Sequence, residues 1–249
     1  MKFLSLRRLF MTMRGTPQEA RLESLLRLAG CGFHEMGLLK SACVAIVGIG
    51  GLPVTREDPL EIGGMAATPE SIAAAFGEMR GGLGFVTYLN PNDRTPEEME
   101  AILVRNRHGS TAHACSVNVG IFGLSSAVEH EFDCQRDLVH LARVTVARTK
   151  AQDYPPLVVH DERTIDACRE LRARVKRVTE DLRTAGIEGL ETVNALWPKS
   201  SATAVVLSGT LRNLSKLAMQ KTDVGKEHEY RRLLAMMGET LKPLATDLF

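Results

Sequence analysis

Apolar residues recur along the chain in two rhythms, and the change from one to the other outlines the elements. Residues 17–28 place Ala20, Leu22, Leu25, Leu26 and Leu28 on one helix face, behind Pro17 and before Gly30, which predicts an amphipathic helix. Residues 42–49 (ACVAIVGI) form a short β-type run that stops at Gly50 and Gly51. The stretch 52–68, rich in Gly, Pro and acid, reads as a loop. Pro69 then opens a helix that Gly81 and Gly82 close, and 85–89 reads as a further short strand. Residues 94–106 begin with Thr95 and Pro96, carry Glu98 three positions after the threonine, and repeat apolar positions at Met99, Ile102 and Leu103. That is the signature of a helix with a capping box.

Alternation takes over at 114–122 and passes into a polar helix that holds His130, Glu131, Cys134, Gln135 and Arg136. Pro155 and Pro156 then impose an extended connection into the run LVVH. The longest helical pattern, 161–186, aligns Ile165, Cys168, Leu171, Val175, Val178 and Leu182; its basic residues are interleaved with Glu170, Glu180 and Asp181, which marks a solvated face. A helix over 188–196 ends at Trp197 and Pro198, a strand covers 203–207, and helices over 210–221 and 226–241 complete the chain. No repeat or linker divides this order, so the expectation is one mixed α/β (α+β) domain over 1–249, with helices around a small central sheet.

Composition narrows the function classes. A chain of 249 residues with 44% hydrophobic content can bury a proper core. Its longest apolar runs, such as 42–51, fall well short of the roughly 20 residues a spanning helix needs, so no membrane partner is expected. The N-terminal stretch is cut by Arg7 and Arg8 and offers no small-residue cleavage site, which leaves the cytoplasm as the expected compartment. The five cysteines form no CxxC pair, and His108, His113 and His130 lack the tight helical pairing of a metal site; no metal is expected. A net charge of +1 lacks the basic footprint of a nucleic-acid-binding protein and points to a small-molecule partner. The GIGG at 48–51 departs from the dinucleotide fingerprint, because its third glycine is missing and Pro53 stands where a helix would open.

Candidate chemistry concentrates between His108 and Tyr154. A helix that presents imidazole, acid, thiol, amide and guanidinium within two turns of a core-type strand is either an anion or cofactor site or an ordinary solvated face. The wider order of motifs resembles the flavin-dependent thymidylate synthases. HGSTAHA followed by LSSAVEHEFDCQR is similar to that family's His-x-Ser turn, Ser-Arg-Ala helix and terminal Arg-His-Arg triplet. ETVNALWP is similar to its Ala-Arg-x-x-Leu-Pro segment, TLRNLSKLAMQK to its Asn-x-Arg helix, and KEHEYRRLL to its Gln-x-Glu-Ile-Arg helix. The likeness runs over residues 85–249.

The resemblance implies a homotetramer with sites between subunits. It further implies FAD as cofactor, methylenetetrahydrofolate as one-carbon donor, NADPH as reductant and a pyrimidine nucleotide monophosphate as substrate. It assigns Ser110, Gln135, Arg136, Thr210, Arg212 and Lys216 to FAD. Glu131, Cys134, Asn194 and the loop residues Arg148, Thr149, Lys150, Ala151, Gln152 and Asp153 fall to the nucleotide, and Lys221 to catalysis.

The chain departs from the family where it would hold phosphate. Cys134, Gln135 and Arg136 replace Arg-His-Arg, Asn194 replaces an arginine, Lys221 replaces the final arginine, and the segment 137–153 is an enlarged loop whose Ser and Arg positions carry Ala151 and Asp153. A roomier pocket that keeps Arg148 and Lys150 implies acceptance of UMP as well as, or instead of, dUMP, as in the uridylate-methylating branch of polyoxin-type nucleoside antibiotic biosynthesis. Lys221 is a flexible point charge rather than a planar fork, so slower turnover is expected than with arginine. Three alternatives stay open: C5-hydroxymethylation on the same scaffold, a Cys134 thiolate adding to uracil C6, and a non-catalytic flavin- or nucleotide-binding relative.

Overall fold

In the computed structural model the chain runs α1 (Leu6–Met13), α2 (Arg21–Ala29), β1 (Gly32–Glu35), β2 (Leu38–Ser41), β3 (Cys43–Ile49), β4 (Leu52–Glu57), β5 (Leu60–Ile62), β6 (Met65–Ala66), α3 (Pro69–Tyr88) and α4 (Pro96–Arg105). It continues with β7 (Ser116–Ser125), α5 (Ser126–Asp133), β8 (Val139–Arg143), β9 (Leu157–Val158), α6 (Ile165–Thr184), β10 (Ala202–Thr210), α7 (Leu211–Ala218) and α8 (His228–Leu241). The residues described are 1–17, 20–88, 94–106, 109–135, 139–143, 155–187, 195–220 and 228–249, the side chains of 85–88 and 139–143 excepted. The mixed α/β class expected from the sequence is the one observed.

One seven-stranded sheet, in the order β6-β5-β4-β3-β7-β10-β8, carries the core. Every residue of β3 is buried because both faces of the sheet are covered, which is why its sequence is a continuous apolar run rather than an alternation. On one face Val44, Ile46, Val119, Ile121 and Leu207 pack with Phe76 of α3, Phe132 of α5, Leu214 of α7 and Leu233 of α8. On the other face Cys43, Ala45, Val47 and Val206 meet Leu9 of α1 and Leu26 of α2. The smaller sheet, β1-β2-β9, joins Leu38 and Leu39 to Leu157 and Val158 in parallel.

Gly123 keeps β7 in phase with its helices. Thr203 faces Leu124 and Ala204 faces Phe122, so Gly123 is the extra residue of a bulge, at φ +79°. The bulge returns Leu124 to the face that holds Val117, Val119 and Ile121, and a Cβ at Gly123 would lie 2.6 Å from Leu39 Cδ2.

Several expectations are corrected. The stretch 52–68 is not a loop but the meander β4-β5-β6, whose strands are too short for alternation to show; Val54 is paired with Ile62, and Val54, Leu60 and Ile62 are buried. Helix α3 does not stop at Gly81 and 85–88 is not a strand: the helix runs to Tyr88. Its glycines serve close approach to α4 instead of termination, since a Cβ at Gly81 would lie 2.0 Å from the Pro96 carbonyl oxygen and one at Gly84 2.6 Å from Leu103 Cδ1. Part of the segment 137–153, read as loop, is β8, which extends the sheet by pairing with β10. Along α6, Val175 is buried and Ile165 and Cys168 pack against Leu38 and Leu157, whereas Leu171 and Val178 of the expected apolar face are exposed.

The capping box at α4 is present in full, with Thr95 and Glu98 each accepting the other's backbone N–H, at 3.3 and 2.9 Å. Helix α1 is docked by a carboxylate: Glu57 accepts the Ser5 N–H at 3.0 Å and the Arg8 guanidinium at 2.7 Å. Burial pushes this carboxyl up, and the hydrogen bonds from Ser5 and Arg8 more than offset it, leaving its pKa below the ordinary value.

Two outcomes follow. Gly81→Ala should destabilise by about 1–3 kcal/mol, the scale of overpacking, while Gly82→Ala, which meets nothing within 4 Å, should be neutral or stabilising; thermal unfolding of the pair measures this. Glu57→Gln should be less stable than the wild-type chain at neutral pH. That difference should close as pH falls below the ordinary carboxylate pKa of about 4.3, because a depressed pKa stabilises only while the group is ionised.

Candidate active site

Strands β7 and β10 each end on a hydroxyl residue that caps the next helix. Ser125 Oγ accepts the Val128 N–H at 3.3 Å and opens α5; Thr210 Oγ1 accepts the Asn213 N–H at 3.2 Å and opens α7. The two strands are antiparallel, with Ala202 opposite Ser125 and Thr210 opposite Ser116, so the two helices leave from opposite ends of the sheet.

At the Thr210 end lies the short 3-10 turn Gly109–Ala114. His113 Nδ1 is 3.2 Å from Thr210 Oγ1, and the Leu211 N–H donates to the Cys115 carbonyl at 2.7 Å, which ties the turn to α7. Arg212 lies across the turn. A Cβ at Gly109 would sit 2.6 Å from its Nη1, so only glycine lets the guanidinium reach this position. Gly109 and Arg212 line a cavity of about 490 Å³ together with Met219, Asp247, Leu248 and Phe249. Among the described residues no carboxylate pairs with Arg212. Ser110 is exposed on the same turn, and Lys216 is exposed one helical turn beyond Arg212.

The far ends of α5 and α7 meet through amides. Gln135 donates to the Glu131 carbonyl and to the Tyr230 hydroxyl, both at 3.3 Å, and accepts from Gln220 at 3.3 Å. Tyr230 is buried, stands edge-on to Phe132 at 5.1 Å, and has its phenol pushed up to about 12 by burial, then by the charges of Glu131 and Cys134. It therefore stays protonated at neutral pH. Glu131 is half-buried on α5, and Cys134 is exposed at that helix's C-terminus.

The sequence does not mark Tyr230 or Gln220 as site residues, and His113, set aside there as a metal ligand, instead meets Thr210. Tyr230 occupies an apolar-face position of α8, and nothing in its spacing marks the hydroxyl as a partner of Gln135.

At the Ser125 end, Glu229 is buried and accepts the Ser125 N–H at 2.7 Å and its hydroxyl at 2.6 Å; His160 Nε2 stands 3.3 Å from the same carboxylate. This group borders a separate cavity of about 310 Å³ shared with Lys199, Ser200 and His228. Arg136, Arg148, Thr149, Lys150, Ala151, Gln152, Asp153, Asn194 and Lys221 lie outside the described residues.

The first site suits an anionic organic cofactor. A guanidinium with no acidic partner among the described residues, a turn without a Cβ beneath it, and the apolar side chains of Met219, Leu248 and Phe249 surround one space. Arginine is the side chain best matched to phosphate oxygens, and FAD carries both phosphates and flat rings. Among the described residues no cluster of three or more His, Cys, Asp or Glu could hold a metal ion, and no helix is long and apolar enough to cross a membrane.

No family model matches the chain, and no curated protein matches it by sequence. Solved structures do. The UMP/dUMP methylase PolB from Streptomyces cacaoi, bound with 5-Br dUMP, superposes with a TM-score of 0.59 at 12% identity, over 85% of this chain and 94% of that one. Two structures of the flavin-dependent thymidylate synthase ThyX from Helicobacter pylori, both with FAD and dUMP, give TM-scores of 0.53 and 0.55 at 13% and 15% identity. They cover 66% and 69% of this chain and 88% and 92% of theirs. The chain has the fold of these proteins.

Thiol chemistry separates the cysteines. Cys31 and Cys115 are buried, and burial pushes their thiols up to about 12 and about 11. A thiol reagent applied to the folded protein should label Cys134 first and leave Cys31 and Cys115 unmodified until denaturant is added, as mass spectrometry of the labelled peptides would show.

Proposed function

We propose that this chain, which shares the fold of flavin-dependent pyrimidine nucleotide methylases, is an FAD-dependent enzyme that methylates C5 of a pyrimidine nucleotide monophosphate, UMP and/or dUMP. Methylenetetrahydrofolate is the one-carbon donor and NADPH the reductant, in a homotetramer whose sites lie between subunits. The observation that carries the reading is the meeting of the Gly109–Ala114 turn and Arg212, far apart in sequence, at one cavity. These are the segments whose motifs resemble the family's flavin contacts.

In this reading Arg212, with Lys216 four residues on and with Arg136, holds the anionic part of FAD, and the Gly109–Ala114 turn brings Ser110 against it. Thr210 orients the start of α7 through its cap, and Gln135, held by Tyr230 and Gln220, keeps one carbonyl lone pair for the ligand. FAD, when bound, supplies the electrons that reduce the transferred carbon to a methyl group. Glu131, Cys134, Asn194 and the residues Arg148, Thr149, Lys150, Ala151, Gln152 and Asp153 surround the nucleotide. Lys221 sets a positive charge against N3 and O2 of the uracil ring, where negative charge collects as C5 becomes nucleophilic.

The test supplies FAD, NADPH and methylenetetrahydrofolate with UMP or dUMP, and follows release of the C5 hydrogen beside product mass. Methylated product is expected with at least one nucleotide; a mass one oxygen heavier would instead establish hydroxymethylation. Lys221→Ala should slow release by about a hundredfold or more, the scale of losing one stabilising group at a developing charge. No release from either nucleotide by flavin-loaded protein would overturn the reading.

A further inference from the structure

Among the described residues Arg80 is the largest fully buried side chain, 1% exposed, and it sits on α3 far in sequence from its partner. Its guanidinium grips Asp247 in a two-pronged pair, Nη1 to Oδ1 at 2.9 Å and Nη2 to Oδ2 at 2.7 Å, with Glu100 of α4 at 3.5 Å. Asp247 belongs to the short 3-10 turn Thr246–Leu248, which is too brief to hold its own position. It also lines the Arg212 cavity, beside Leu248 and Phe249. Phe249 lies over α8, its ring 4.0 Å from where a Cβ on Gly238 would stand.

We infer that Arg80 is a positioning residue that withholds Asp247 from Arg212, leaving that guanidinium for the phosphate of a ligand whose flat ring rests on Leu248 and Phe249. The identification of the ligand as FAD rests on the function proposed above; the electrostatic arrangement does not. Three acids, Glu97, Glu100 and Asp247, and two arginines crowd this corner, and an Asp247 carboxylate released into the cavity would compete for Arg212. Both oxygens of Asp247 are engaged by Arg80 instead. The same pair pins the turn that carries Leu248 and Phe249, the apolar residues that line this cavity together with Gly109 and Met219.

The probes are inorganic pyrophosphate and FAD, titrated into the full-length protein by calorimetry and by flavin fluorescence. Arg80→Met should raise Kd for pyrophosphate at least tenfold, and Asp247→Asn added to it should recover most of that loss, a rescue that a merely structural role would not produce. Phe249→Ala should raise Kd for FAD about tenfold and leave pyrophosphate within twofold.

The inference is overturned if the double variant binds pyrophosphate no better than Arg80→Met, or if Phe249→Ala weakens both probes alike. Should Arg80→Met fail to fold by circular dichroism, the split between probes in Phe249→Ala decides alone. Wild-type protein that binds pyrophosphate, loses it in Arg80→Met, regains it with Asp247→Asn and ignores FAD would remove the flavin reading and keep the role of Arg80. Binding of neither probe would remove both.

Discussion

Burial of the central strands on both faces is the constraint from which the rest of the structure follows. With β3, β7 and β10 sandwiched between α1 and α2 on one side and α3, α5, α7 and α8 on the other, a residue on these strands has apolar surroundings whichever way it points. Polar chemistry then gathers where strands end. It does so at Ser125 and Thr210, each of which finishes a strand and caps a helix. Because the strands run in opposite directions, the two caps stand at opposite ends of the sheet, and each gathers its own cluster: Glu229 and His160 at one, His113 and the Gly109 turn at the other.

Two carboxylate arrangements, one buried at Glu229 and one partly covered at Asp247, hold these ends in place by different means. Glu229 is satisfied mainly by neutral donors, the Ser125 N–H and hydroxyl, so it joins α8 to the start of α5 without a buried cation; half-exposed His160 stands beside it. Asp247 is matched by the buried guanidinium of Arg80, and breaking such a pair by removing one partner costs about 3–5 kcal/mol. An apolar pair could give comparable stability at that place. What the ion pair adds is a defined position for residues 245–249 and a carboxylate already committed beside a second arginine.

Close backbone approaches complete the geometry and explain three glycines. Gly109 admits the Arg212 guanidinium, Gly81 admits the Pro96 carbonyl, and Gly123 supplies the left-handed residue that resets the phase of β7. In each case the neighbour that demands glycine is remote in sequence or lies in another element.

The sequence by itself determined what depends on near neighbours: the mixed α/β class, the apolar strands at 42–49 and 203–207, and the Thr95 capping box. It also carried the motif order that resembles the flavin-dependent thymidylate synthases, whose fold the chain has. These follow from side chains acting within a few residues of themselves. Tertiary structure alone decided that 52–68 is a meander, that Gly81 packs against α4 inside a helix instead of ending it with Gly82, and that 139–143 is a strand. Each is fixed by a partner elsewhere in the chain. It alone also brought Gly109 to Arg212, Gln135 to Tyr230, and Arg80 to Asp247, because contacts between distant segments obey no local spacing and arise only once both faces of the sheet are filled.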